Sequence, residues 1–92
     1  MIIYKYDINL SIPTLLDITD NAKVIHVGMQ DGRIKIWLEQ NNHNPIRTTK
    51  RMYTVWPTGQ YFEKAALGNH IGTVFDGSFV WHVYELITQL EK

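Results

Sequence analysis

The sequence predicts a mainly β to α+β fold: a small antiparallel sheet or partly open barrel built from hairpins, with one or two short helices. Three observations carry that expectation. Residues 2–10 alternate strictly, Asp-Gly stands twice between strand-like runs, and six short runs have strand character against at most two short helical stretches.

At the N-terminus Ile2, Tyr4, Tyr6, Ile8 and Leu10 fall on one side, and Lys5, Asp7 and Asn9 on the other. A period of two is the signature of a half-buried strand. Ser11-Ile12-Pro13 breaks it, and residues 14–21 read as a connecting segment with one helical turn after Pro13. Lys23–Met29 and Arg33–Glu39 flank Asp31-Gly32, the dipeptide that suits a type I′ hairpin because both central residues need positive φ. The polar run Gln40–Pro45 reads as an exposed loop. Arg47–Trp56 is the next strand, Pro57-Thr58-Gly59 turns the chain, and Thr58 could cap a short helix ending at Gly68. Ile71–Phe75 and Phe79–Leu86 flank the second Asp-Gly, Asp76-Gly77. The last run is apolar on both faces, which places it centrally in a sheet or in an interface. Residues 87–92 would add a short helical end or fray.

Ninety-two residues make one domain, 1–92, since a core of this size is already marginal. Nine basic and nine acidic residues cancel, which argues against general nucleic-acid binding. With no cysteine there is no disulfide framework, thiolate metal site or cysteine nucleophile. No apolar run approaches a membrane span and the N-terminus lacks the build of a signal peptide, so the expected location is the cytoplasm.

Catalytic signatures are missing. Ser11 and Ser78 lie in turn contexts outside any Gly-x-Ser-x-Gly elbow, and neither a phosphate loop nor a dinucleotide fingerprint occurs. The expectation is a protein that is not an enzyme and uses no cofactor. His26, His43, His70 and His82 follow no metal-ligand spacing, so no metal site is expected, and His26 and His82 read as core or interface residues.

Residues 41–62 are the most informative, holding Arg47, Lys50 and Arg51 and no acid. On a strand Arg47, Arg51 and Tyr53 share a side, and Trp56, Tyr61 and Phe62 follow closely. Guanidiniums grip phosphate, aromatic faces stack on bases, and N–H groups near Thr58-Gly59 suit an anion. Arg47, Arg51, Tyr53, Trp56, Thr58 and Gly59 are therefore the predicted site for a nucleotide-like ligand. Trp37 sits on the polar side of its strand, and with Trp81 and His82 it is the expected interface of a homo-oligomer.

The run Ala22–Gly32, Ile36-Trp37, Thr58-Gly59, Ile71-Gly72-Thr73-Val74 and Phe79–Glu85 resembles a family of short phage and bacterial proteins known as a domain of unknown function. The resemblance spans nearly the whole chain. Where it leads one to expect His after Thr-Gly, Gln60 stands instead, so no imidazole role carries over to that position. It implies a phage setting and no catalytic residues. The expected function is a non-enzymatic sponge that sequesters a nucleotide-derived immune signal. The alternatives are a direct inhibitor of a host defence protein and a phage accessory or structural protein.

Overall fold

The computed structural model describes residues 1–41, 47–62 and 67–86. They form seven strands: β1 (Ile2–Ile8), β2 (Thr14–Thr19), β3 (Lys23–Gln30), β4 (Arg33–Gln40), β5 (Thr48–Pro57), β6 (Leu67–Asp76) and β7 (Phe79–Leu86). All pairings are antiparallel, in a three-stranded sheet ordered β1-β4-β3 and a four-stranded sheet ordered β2-β5-β7-β6. The sheets stack face to face without closing into a barrel. The mainly β expectation holds, with two corrections.

Residues 14–19 are a strand, not a linker. Leu16 and Ile18 are buried while Leu15 and Asp17 are exposed, so the segment carries a two-residue period masked by its shortness and by Pro13. No helix occurs among the described residues. Thr58 does not cap one: Gln60 N–H donates to the Pro57 carbonyl at 3.3 Å and Gly59 has φ 94°, the features of a type II turn. The predicted helix interior at 63–66, most of the predicted loop (42–46) and the 87–92 tail lie outside the described residues.

The two hairpins differ although both contain Asp-Gly. In the first, Gln30 pairs with Arg33 and the loop is Asp31-Gly32, with φ of 55° and 74°, as a type I′ turn requires. In the second, Asp76 pairs with Phe79 and the loop is Gly77-Ser78, in which Gly77 alone has positive φ, 59°. That is a type II′ pattern, shifted by one residue from the sequence reading.

The core comes from both inner faces. Ile34, Ile36 and Leu38 of β4 meet Leu16, Ile18, Tyr53, Val55 and Val83 of the other sheet. Gln40 is a buried polar bridge, accepting from Thr19 N–H at 3.1 Å and donating to the Tyr6 hydroxyl at 2.8 Å, and so links the sheets. On the outer face of the smaller sheet the nearly buried Lys35 ammonium bonds to Asp7, and that bond holds the Asp7 carboxyl below its usual range.

The sheets approach most closely where β3 meets β6. Here β6 carries Gly72, and a Cβ at that position would stand 3.0 Å from Cβ and Cγ2 of Val27. The missing side chain is what lets the edge strands close this side of the sandwich. Gly72→Ala should therefore destabilise by about 1–3 kcal/mol through overpacking, read from urea denaturation. Adding Val27→Ala should recover part of that loss, and strictly additive effects would rule out this contact as the cause.

Candidate binding cleft and the histidine chain behind it

Strand lengths create a concavity at the edge of the larger sheet. β5 has ten residues and its neighbour β2 has six, and the β2–β5 register begins at Thr14–Tyr53. Beyond that pair, residues 54–57 are bordered by β7 on one side only. Leu10, Ser11 and Pro13 from the β1–β2 connection stand opposite, Gln60 caps the end, and Trp56 and Trp81 complete the walls of a cleft of about 500 Å³. That lies within the range of small-ligand sites, roughly 300–1,000 Å³. A second cleft of about 260 Å³, lined by Leu10, Met29, Arg33 and Asp76, lies on the other side of Trp81.

The ladder shows which backbone groups face the larger cleft. Asp76 and Phe79 close a two-residue loop, so they form a hydrogen-bonded pair and odd-numbered β7 residues face β6. Even-numbered ones face β5, as the bond from Thr58 N–H to the Val80 carbonyl at 3.0 Å requires. Thr54 and Trp56 thus turn their N–H and C=O toward β7. Val55 turns its own the other way, where no strand lies among the described residues. Pro57, next in that alternation, has no N–H to satisfy. One backbone donor and one acceptor therefore stand side by side at the cleft. Trp56 and Trp81 also each bury an indole N–H that has no partner among the described residues, an unusual state for a Trp donor.

Behind the Pro57–Gln60 turn, on the outer face of the larger sheet, four side chains form a chain. Thr58 Oγ1 lies 2.7 Å from His82 Nε2, His82 Nδ1 lies 3.1 Å from Thr73 Oγ1, and that hydroxyl lies 3.0 Å from His70 Nε2. The ladder positions them, since His82 is cross-strand from both Trp56 and Thr73. Each hydroxyl can donate one way and accept the other, so neutral imidazoles satisfy every link with the protons running in either direction. A row of rings adjoins it: Trp56 stacks on Phe62 at 5.5 Å and 22°, Phe62 meets Tyr84 at 5.8 Å, and His70 meets Tyr84 edge-on at 5.2 Å. This chain pins the turn that carries Gly59 and Gln60 to the sheet. Spacing gave no sign of it, because its members come from a turn and two strands and meet only through the β5–β7–β6 register.

The six predicted ligand residues do not converge. Trp56 lines the cleft, and Thr58 and Gly59 form the turn beside it. Arg47 is exposed at the far end of β5, nine residues from Trp56 or roughly 30 Å at strand rise. Tyr53 is wholly buried, burial pushes its phenol well up, and its hydroxyl makes no well-formed hydrogen bond to the adjacent Glu85 and Arg51. Arg51 turns inward. Its Nε and Nη2 donate to the two Glu85 oxygens at 2.8 and 2.9 Å, and Nη1 donates to the Ala22 carbonyl at 2.7 Å. The Glu85 bonds hold its guanidinium above the usual range. Three strong donors are spent, and Arg51 is a structural residue.

The three predicted interface residues lie on three different surfaces. Trp37 is half-buried on the outer face of the smaller sheet with His26 at 5.2 Å. Trp81 faces the core side and divides the two clefts, and His82 belongs to the outer chain. Among the described residues no cluster of three or more His, Cys, Asp or Glu could hold a metal ion, and no helix is long and apolar enough to cross a membrane.

Arg51→Ala should lower stability by about 2–3 kcal/mol, the lower end for breaking a buried pair because both side chains keep some exposure. The double variant Arg51→Met with Glu85→Leu should recover most of it in urea denaturation. A fully stable Arg51→Ala protein would contradict the structural role.

Comparison with curated proteins and with solved structures finds no match. The segments Thr58-Gly59, Gly72-Thr73 and Val80–Glu85 meet in space at His82. The family model of a domain of unknown function, DUF7352, matches residues 1–92, and the chain belongs to that family.

Proposed function

We propose that this protein is a binding protein that captures a small planar, nucleoside-like ligand in the cleft at the open edge of β5, without turning it over. The observation that carries the reading is the open N–H and C=O of Val55 at the sheet edge, in a cleft whose lining includes Trp56 from the outer face of the larger sheet and Trp81 from the inner one. Adjacent donor and acceptor atoms match the edge of a nucleobase. Gln60, Ser11 and Thr54 add side-chain polar groups to the lining. His82 is a positioning residue, holding the Gln60 turn through Thr58.

The position of the arginines defines the ligand further. With Arg51 bound to Glu85 and Arg47 roughly 30 Å away along the strand, the cleft has no phosphate clamp from either. Recognition would then rest on the base and sugar, with any phosphates directed to solvent. Sequestration of a nucleotide-derived signal of phage defence fits that chemistry. No carboxylate of β7 serves the histidine chain, because Glu85 points to the opposite face and is bound to Arg51. That absence favours capture over acid–base turnover.

A second reading, direct inhibition of a host protein by occlusion, draws on the β6–β7 hairpin tip. Phe75 and Phe79 are 73% and 57% exposed there, and exposed aromatic rings commonly anchor protein contacts.

A thermal-shift panel of nucleobases, nucleosides and mononucleotides tests the first reading. A ligand at 100 times its dissociation constant adds ~2.7 kcal/mol, or a shift of roughly 10–20 °C in a domain this small. The nucleoside should match its own phosphate in affinity. Gln60→Ala, at an exposed turn position, should weaken binding by about 3–10-fold, the worth of one neutral hydrogen bond. A flat panel would discard the nucleoside reading and favour the hairpin tip.

A further inference from the structure

Unpaired strand edges recruit other strands, and natural sheets protect them with bulges, prolines, charges or short length. Three of the four edge strands here are protected. β3 and β6 both carry register shifts and lie against each other where Gly72 meets Val27. β2 is short, follows Pro13, and presents the Asp17–Lys50 pair. β1 also carries charges, Lys5 and Asp7, but it differs in continuity: its register with β4 is unbroken from Ile2 to Ile8, it holds no proline, and Ile3 and Tyr4 are 55% and 46% exposed.

The direction of its backbone groups follows from the first hairpin. Gln30 and Arg33 close the two-residue loop as a hydrogen-bonded pair, so odd-numbered β4 residues face β3 and even-numbered ones face β1. Their partners Ile2, Tyr4, Tyr6 and Ile8 therefore point N–H and C=O at β4. Ile3, Lys5 and Asp7 present theirs at the outer edge, spaced for another strand.

We propose that β1 pairs antiparallel with β1 of a second copy of this chain, joining two three-stranded sheets into one six-stranded sheet. Charge selects the register. A two-fold axis at Tyr6 sets Lys5 of each copy opposite Asp7 of the other, in hydrogen-bonded pairs. An axis at Lys5 would oppose two ammoniums, and one at Tyr4 would set Lys5 against Ile3. The favoured register also lays Tyr4 of each copy across from Ile8 of the other, extending the core across the join. The Asp7 carboxylate already holds Lys35 and Arg33 and keeps 47% exposure on its side chain, leaving room for a further ammonium, and Lys5, which donates to Gln30 Oε1 at 2.5 Å within one copy, would exchange that neutral acceptor for the carboxylate.

Sedimentation of the full chain over a concentration series tests this. The natural sequence should dimerise reversibly. Lys5→Pro should be monomeric with an unchanged circular dichroism spectrum, because it removes an N–H that points away from β4. Lys5→Asp should raise the dimer dissociation constant about tenfold or more by opposing like charges at two symmetric sites. If Lys5→Pro fails to fold, Lys5→Asp decides. A natural sequence that stays monomeric throughout, or a folded variant that dimerises as the natural sequence does, overturns the proposal.

Discussion

The bidentate contact between Arg51 and Glu85 fixes the centre of the larger sheet. Both side chains lie on its inner face, and a slip of β5 against β7 by one residue would put them on opposite faces and separate them. A buried guanidinium without its carboxylate costs far more than one misplaced apolar contact. The third bond, to the Ala22 carbonyl, reaches the start of β3 and so ties the register of one sheet to the position of the other. With that register set, Trp56 must stand beside His82, and His82 beside Thr73. The histidine chain and the ring row are consequences of a pair that takes no part in either.

The cleft has an equally simple origin in strand length. β2 begins only after Pro13, which cannot donate to a ladder, while β5 runs on to Pro57. The overhang leaves the Val55 amide group without a strand neighbour, and Pro57 removes what would have been the next donor in the same direction. One open donor and acceptor make a site for a small ligand, whereas a longer run would invite a strand. The turn after Pro57 then needs anchoring, because Thr58 and Gly59 are exposed and bury nothing themselves. The Thr58 contacts to the Val80 carbonyl and to His82 supply that anchor.

How much of this could be read in the sequence depended on the distance over which each feature is encoded. Alternation in β1 and the Asp31-Gly32 turn are local and were legible. The second Asp-Gly was legible as a hairpin but not in phase, since pairing of Asp76 with Phe79 moves the loop to Gly77-Ser78. The two apolar faces of β7 allowed a central strand or an interface, and the sheet order makes it central. Strand β2 was hidden because six residues after a proline give too short a pattern to separate from a turn. The alignment of Arg51 with Tyr53 was read correctly as a shared face, but sequence could not say that the face is the inside. Glu85, which decides it, lies 34 residues on. The histidine chain was invisible for the same reason, as its contacts exist only once three segments are in register.

The two open edges of the fold ask for different occupants, although both offer unpaired amides. At β5 the opening is four residues long and walled by the Leu10–Pro13 connection and by Gln60. An incoming strand would have to displace that connection, and the inner ends of β1 and β2 hold it through Asn9 N–H bonded to Thr14 Oγ1 at 2.8 Å. A flat ring needs only the width of one residue. At β1 no strand pairs with the outer edge among the described residues, the register with β4 is unbroken over seven residues, and alternate groups repeat at the spacing of a second strand. Shape separates the two proposals: a walled edge suits a small planar molecule, and an uninterrupted one suits a strand.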